Sequence, residues 1–248
     1  MSIEKYKLTE QQEQRLIKGL QAAVSIPVID SIEDFIWESI FCYTKGIPYI
    51  DPFNNIRSKK LYDVIDSVKR IGWSAKALQI SRFEGDFEIV IQRADVIKKA
   101  SELGFDGLSL DSDPNLIGQA LLKHWKKKIN EDAVAQGIDD KRICILLKNK
   151  ECTRFAYIEE SITQYDADEL KWEWSDSQKT GLKGIRKTDN FCVYKWYHNQ
   201  TQFFERFQFD QDTKIYNIQL LRQDLADFIE LIYNKISPDI DPPLTLFE

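Results

Sequence analysis

The chain has 248 residues, of which 43% are hydrophobic and 30% are charged, and its formal net charge is −6. This composition is typical of one large globular domain, and the overall acidity argues against a nucleic-acid partner. Two histidines and four cysteines without a C-x-x-C pair exclude a Cys/His zinc cage, and the ten glycines form no dinucleotide or P-loop motif, so no nucleotide cofactor is expected.

The first half of the chain predicts two helices followed by strands. Apolar residues recur at near-helical spacing over 7–22, and a second series predicts a helix from Ile32 to the glycine at 46. The runs 60–66 and 72–80 are typical of a β-hairpin, and a third strand over 87–93 precedes a helix over 94–103.

The second half is richer in aromatic strands. Asp113-Pro114 predicts a helix start, because proline is tolerated at the first helical position, and this helix reaches about Ile129. A last helix is expected over 219–235. Strands are predicted over 142–149, 154–160, 170–175, 191–197 and 202–209. The change in character near residue 160 divides an α/β core, 1–160, from a β-rich and helical C-terminal part, 161–248, packed on it as one unit.

The predicted hairpin carries an acid and a lysine that could share one face. Side chains alternate along a strand, and a two-residue turn at Lys69-Arg70 sets Asp63 opposite Lys76. A one-residue change in loop length would put Asp66 in place of Asp63. An aspartate and a lysine on adjacent strands also form a common salt bridge, so a purely structural pair is the alternative.

A second acid, Glu38, lies in the apolar second helix. A carboxylate there is costly to desolvate unless a cation or a donor meets it. Convergence of Glu38, Asp63 and Lys76 would join two carboxylates, which suit Mg²⁺, with an ammonium group. Such a set can polarise a phosphate and neutralise a leaving oxyanion, as phosphodiester hydrolysis requires.

The order of helical Glu38, strand-borne Asp63 and S-A-K at 74–76 resembles the PD-(D/E)xK nuclease superfamily, particularly type II restriction endonucleases. The resemblance covers about residues 31–95. It implies an α/β (α+β) fold with a mixed central β-sheet flanked by helices, and Mg²⁺-dependent endonuclease activity. It also implies that Asp63 and Lys76 are the motif residues and Glu38 the additional acid.

Two positions depart from the family pattern. Tyr62 precedes Asp63 where the family has proline, and Ser74 occupies the catalytic position where the family usually has an acid. The metal ligands expected are Asp63, or Asp66 in its place, together with Glu38. The replacements considered for the acid missing at Ser74 are Glu38, Glu84 and Glu88.

Basic residues collect in three windows, 57–76, 119–129 and 141–154, whereas acids collect in 159–176 and 224–248. This segregation reopens the case for DNA, because it favours one electropositive cleft. The candidate DNA contacts are basic and amide residues: Lys59, Lys60, Lys69, Arg70, Arg93, Lys183, Arg186, Lys195, Asn199 and Gln200.

These features predict a site-specific endonuclease that cuts double-stranded DNA with Mg²⁺. We expect a homodimer, because a symmetric DNA site is read most simply by a two-fold protein. The alternatives are a non-catalytic DNA-binding protein of the same fold and a repair or structure-selective nuclease. A polar N-terminus, widely spaced cysteines and no apolar run near ~20 residues predict a cytoplasmic protein without a membrane partner.

Overall fold

The computed structural model describes residues 5–49 and 60–236, and this part of the chain is mixed α+β with four α-helices and two five-stranded sheets. The helices are α1 (Glu10–Ser25), α2 (Asp34–Lys45), α3 (Pro114–Gln136) and α4 (Leu225–Ile236). The strands are β1 (Val64–Asp66), β2 (Ile71–Gln79), β3 (Asp86–Arg93), β4 (Asp140–Lys148), β5 (Arg154–Ser161), β6 (Leu170–Trp174), β7 (Leu182–Arg186), β8 (Cys192–Tyr197), β9 (Gln202–Gln208) and β10 (Ile215–Asn217).

The first sheet is mixed and has the order β1-β2-β4-β5-β10. Its β2 and β4 run parallel, and the other three pairs are antiparallel. The second sheet is antiparallel throughout, with the order β3-β9-β8-β7-β6. Each sheet takes a strand from the other side of residue 160, since β3 belongs to the second sheet and β10 to the first.

Local signals in the sequence account for the helix ends. Thr9 begins α1 in a reciprocal capping arrangement with Gln12, which satisfies backbone N–H groups at the helix start. Gly46 follows α2 with φ +72°, a left-handed conformation that glycine adopts without steric cost. Asp113 caps α3, and Pro114 is its first residue.

Three apolar clusters hold these layers together. α1 and α2 bury Leu16, Leu20 and Phe41 against one face of the first sheet. The other face of that sheet packs against the second sheet, where Ile145 and Phe207 belong to one cluster. α3 packs against the inner face of the second sheet in the largest cluster. Burial of these apolar faces is the main favourable contribution to folding.

The structure corrects several predicted elements. The segment 94–103 is a series of turns with a 3₁₀ turn at Ser101–Leu103, since the residues before it are tied by Ala94 N–H to the Thr201 carbonyl. α3 continues seven residues beyond Ile129, and the last helix begins at Leu225 rather than at 219. β7 and β10 were not predicted.

β7 has a glycine, Gly184, in its middle, and this weakens the strand signal of the sequence. A Cβ on Gly184 would lie 2.8 Å from the ring of Trp172, so the glycine serves close packing inside the sheet. Of the helices in residues 5–49 and 60–236, none combines the length and the apolar character that a bilayer crossing demands.

Candidate active site

The β1–β2 hairpin has a wider turn than the sequence suggested. Val64 lies opposite Trp73 and Asp66 opposite Ile71, so residues 67–70 form a four-residue turn. The register therefore differs by two residues from the one that a two-residue turn would give. Because side chains alternate with period two, this shift leaves every side chain on its predicted face.

Asp63 and Lys76 consequently still share a face, although Asp63 lies across from Ser74 rather than from Lys76. The Nζ of Lys76 is 3.5 Å from Oδ2 of Asp63, and the two side chains remain 22% and 24% exposed. The pair lies at the rim of the contact between the two sheets, because Ser74 and Lys76 pair in register with Ile143 and Ile145 of β4.

The edge of β2 beyond β1 is open, and two carboxylates occupy it. β1 covers β2 only as far as Trp73, so the N–H groups of Ala75 and Ala77 point outward without a strand partner. Oδ2 of Asp63 accepts from Ala75 N at 2.9 Å, and Oδ1 of Asp34 accepts from Ala77 N at 2.7 Å.

These two hydrogen bonds anchor both carboxylates on one edge of β2. The two anchoring N–H groups alternate along the strand, about 7 Å apart, and Lys76 lies between them in sequence. Burial raises the pKa of Asp63 even though Lys76 and the Ala75 N–H oppose the rise, and the carboxylate of Asp34 adds to it. A cation between the two acids would relieve this repulsion.

Asp34 is the site residue that sequence reasoning missed. The available signal was its spacing, because Asp34 and Glu38 are four residues apart on one helix and therefore lie on the same face, about 6 Å apart. Glu38 itself is half-buried, and burial together with the negative charge of Glu38 raises the pKa of Cys42 to about 11.

Other predicted acids have different surroundings. Oδ1 of Asp66 accepts from the N–H groups of Val68 and Lys69, so Asp66 stabilises the turn, three residues from Asp63 along the chain. Glu84 forms an ion pair with Arg82 on an exposed loop. Glu88 forms an ion pair with Lys195 across the second sheet. Ser74 is buried.

The predicted DNA contacts divide into paired and exposed groups. Arg70, Lys69, Arg186 and Lys195 form ion pairs with acids of the chain; their respective partners are Asp139, Asp66, Asp189 and Glu88. Lys59 lies outside the described residues. Arg93, Asn199 and Gln200 are exposed at one end of the second sheet, and Lys60 and Lys183 are partly exposed.

Several cations of the second and third basic windows form ion pairs in the described part of the chain. The lysines at 126–128 of α3 form ion pairs with Asp166, Glu131 and Asp132. Arg142 of the third window forms ion pairs with Asp140 and Glu159 in the layer beneath α2. The cations of these two windows mainly neutralise acids within the fold.

Comparison of the chain with protein-family models, curated proteins and solved structures found no match. Among the described residues, no three or more His, Cys, Asp or Glu side chains are grouped as a metal cluster. The candidate site consists of two carboxylates and one ammonium group at the edge of β2.

Proposed function

We propose that the protein is a Mg²⁺-dependent endodeoxyribonuclease of the restriction type, which hydrolyses phosphodiester bonds of double-stranded DNA at specific sites. The supporting observation is that Asp63, Lys76 and Asp34 meet on the open edge of β2. Mg²⁺ is commonly bound through one or two carboxylates and keeps several waters, which fits the two acids at this edge.

Each residue of the site has one role. Asp34 and Asp63 hold the cation, and the N–H groups of Ala75 and Ala77 fix their orientation. A Mg²⁺ ion held by these two acids would supply charge neutralisation at the phosphate and a water of lowered pKa. Lys76 donates a hydrogen bond to the attacking water or to a phosphate oxygen, and its charge stabilises the negative transition state.

The acid that the family motif has on the strand comes here from α2. Ser74 is buried and carries no charge, whereas Asp34 reaches the same strand edge from the first turn of the helix. Glu38, one turn further along α2, is the second acid of that face. The mixed first sheet with α2 on one side is the restriction-endonuclease-like core of this proposal.

We propose that residues 220–236, which include α4, form the interface of a homodimer. None of the residues of α4 is buried, and eight large apolar side chains between residues 220 and 236 are 43–59% exposed. Monomeric proteins rarely expose apolar patches of more than a few hundred Å², and a stable interface covers about 800 Å² on each partner. A second copy of this chain, bringing the same apolar segment, covers both surfaces and gives the two-fold symmetry that reading a symmetric DNA site favours.

The nuclease proposal is tested with purified protein and unmethylated DNA of varied sequence. The wild-type protein should give discrete fragments with Mg²⁺ and none with EDTA. Lys76→Ala, Asp63→Asn and Asp34→Asn should each lower the cleavage rate by about 100-fold or more. The two asparagine variants keep a side-chain oxygen for the backbone N–H, so their folding should be preserved.

Asp66→Asn is the matched control on the same hairpin. It keeps the oxygen that accepts from Val68 N and Lys69 N, and it should cut at the wild-type rate. The proposal fails if no DNA yields discrete fragments or if Lys76→Ala cuts as fast as the wild type. DNA retention with intact strands and no metal requirement would instead identify the non-catalytic binding protein.

A further inference from the structure

A second candidate site lies between the two sheets, away from the Asp63–Lys76 pair. A cavity of about 570 Å³ is lined by residues of β5, β7, β8 and β9 and of the loop that follows β5. None of its lining residues belongs to α2, β1 or β2. Its volume is in the range of small-molecule sites, about 300–1,000 Å³.

Glu205 of β9 lies in this cavity without a partner. The residue is only 7% exposed, between Ile89 and Tyr194 on the inner face of the second sheet. Within residues 5–49 and 60–236, no donor bonds to its carboxyl group and no cation pairs with it. Burial and the nearby Glu160 raise its pKa to about 8. A buried carboxylate without a partner is rare in folded proteins, because the desolvation cost is not repaid.

Glu160 is a second buried acid of the same cavity. It is also 7% exposed, and it projects from β5 of the opposite sheet. The one cation that pairs with it in the described chain is Lys5, whose Nζ is 3.8 Å away. Lys5 is half-exposed and lies closer to Asp210, at 3.2 Å. The inner end of the cavity therefore lacks positive charge.

The remaining lining favours an organic ligand over an anion or a bare ion. Tyr165, Phe191 and Phe207 supply aromatic surface, which attracts cations as well as apolar groups. Arg186 is already engaged, because it forms an ion pair with Asp189 and donates from Nη1 to the Tyr165 hydroxyl at 3.0 Å. Of the other lining cations, Arg206 forms an ion pair with Asp86, and Lys187 is exposed to solvent. The volume also far exceeds that of a metal ion.

We infer that this cavity binds a small organic cation, whose ammonium group lies between Glu160 and Glu205 and whose carbon skeleton contacts the aromatic wall. The ammonium group supplies the counter-charge that Glu205 lacks and that Glu160 receives only from Lys5 at 3.8 Å, and it thereby favours the ionised form of both acids. This inference does not depend on the proposed nuclease activity, because it uses none of the residues at the β2 edge.

Isothermal titration calorimetry of the full chain tests the inference with tyramine, which joins an aromatic ring to a primary ammonium group. 4-Ethylphenol is the matched neutral probe, since it has the same ring without the amine. Tyramine should saturate one site, and 4-ethylphenol should bind roughly ten- to hundredfold more weakly, the usual contribution of a charge-assisted hydrogen bond.

Three variants locate the site. Glu205→Gln and Glu160→Gln should each weaken tyramine binding roughly ten- to hundredfold. Asp66→Asn, at the start of the β1–β2 turn and outside the cavity, should leave it unchanged. Melting temperatures of the two glutamine variants at or above that of the wild type would show that they fold.

Four results would overturn the inference. These are no tyramine binding at millimolar concentration, equal binding of 4-ethylphenol, tyramine binding that survives both glutamine substitutions, and displacement of tyramine by Ca²⁺ acting through Glu205. The last result would identify the acids as a metal site rather than as an ammonium site.

Discussion

Substitution of the buried Glu159 should lower the free energy of unfolding of this protein substantially. The Glu159 side chain is fully buried and accepts from Trp73 Nε1 at 2.7 Å, from Arg142 Nη1 at 3.0 Å and from the Tyr157 hydroxyl. Nζ of Lys45 lies 2.6 Å from its Oε2. These contacts lie between α2 and the first sheet and connect the helix with β2, β4 and β5.

Glu159→Gln should destabilise the protein by about 3 kcal/mol. Breaking a buried ion pair from one side costs about 3–5 kcal/mol, because the other charge is left uncompensated. Arg142 keeps its ion pair with Asp140 in this variant. The uncompensated charge is therefore mainly that of Lys45, whose side chain is only 10% exposed. Contact of Lys45 with three aromatic rings offsets part of this cost.

Urea and thermal unfolding followed by tryptophan fluorescence measure the effect. A loss of about 3 kcal/mol corresponds to a fall in Tm of roughly 6–12 °C for a chain of this size. The matched control is Glu160→Gln, on the opposite face of the same strand, which should cost little because burial raises the pKa of that acid. Adding Lys45→Met to Glu159→Gln should restore part of the loss, since both charges are then gone.

The pH dependence provides an independent check. Burial opposes ionisation of Glu159, but Lys45 and the hydrogen bonds outweigh it, so its pKa lies below the ordinary 4.5. A lowered folded-state pKa stabilises the protein above pH 4.5, and this stabilisation is lost as the pH falls through the folded-state value. Glu159→Gln should therefore flatten the acid limb. A variant within about 1 kcal/mol of the wild type, or single costs that simply add in the double mutant, would refute the reasoning.

Three other outcomes are expected. Glu205 has a raised pKa, so the stability of the wild type should fall as the pH rises from 4.5 to about 8. Glu205→Gln should reduce this decline in pH-dependent urea unfolding and leave the smaller part due to Glu160. Gly118→Ala should lower stability by about 1–3 kcal/mol, because its Cβ would lie 2.3 Å from the ring of Trp172; a rise in Tm, as helix propensity alone would give, would contradict the packing. Ile229→Glu with Ile232→Glu should convert a dimer to a monomer in analytical ultracentrifugation, and a wild-type monomer would contradict the interface.

Sequence reasoning predicted those parts of the fold that local periodicity determines. α2 ends at Gly46 as expected, because an apolar series followed by glycine is a local signal. The sequence did not predict the partner strand of β3. This strand follows the β1–β2 hairpin in the chain and yet pairs with β9, more than a hundred residues later. No local pattern encodes that choice.

The sequence predicted the part of the site that depends on which face of a strand a side chain occupies. It did not predict the part that depends on how a helix packs against that strand. Asp63 and Lys76 come together although the predicted register was off by two residues, because an even shift preserves the face of each side chain. The position of Asp34 depends on where α2 packs relative to β2, and no local pattern in the sequence encodes that contact.

The open edge of β2 explains why two carboxylates lie at the candidate site. Because β1 is only three residues long, two N–H groups of β2 need acceptors, and Asp63 and Asp34 supply them. An acid at Ser74 would be desolvated against the second sheet, whereas the first turn of α2 favours a carboxylate through the helix dipole and leaves it exposed. If the proposed nuclease function is correct, the acid from α2 takes the place of the strand acid of the motif without a buried charge, and the short β1 leaves free the N–H groups that hold both acids.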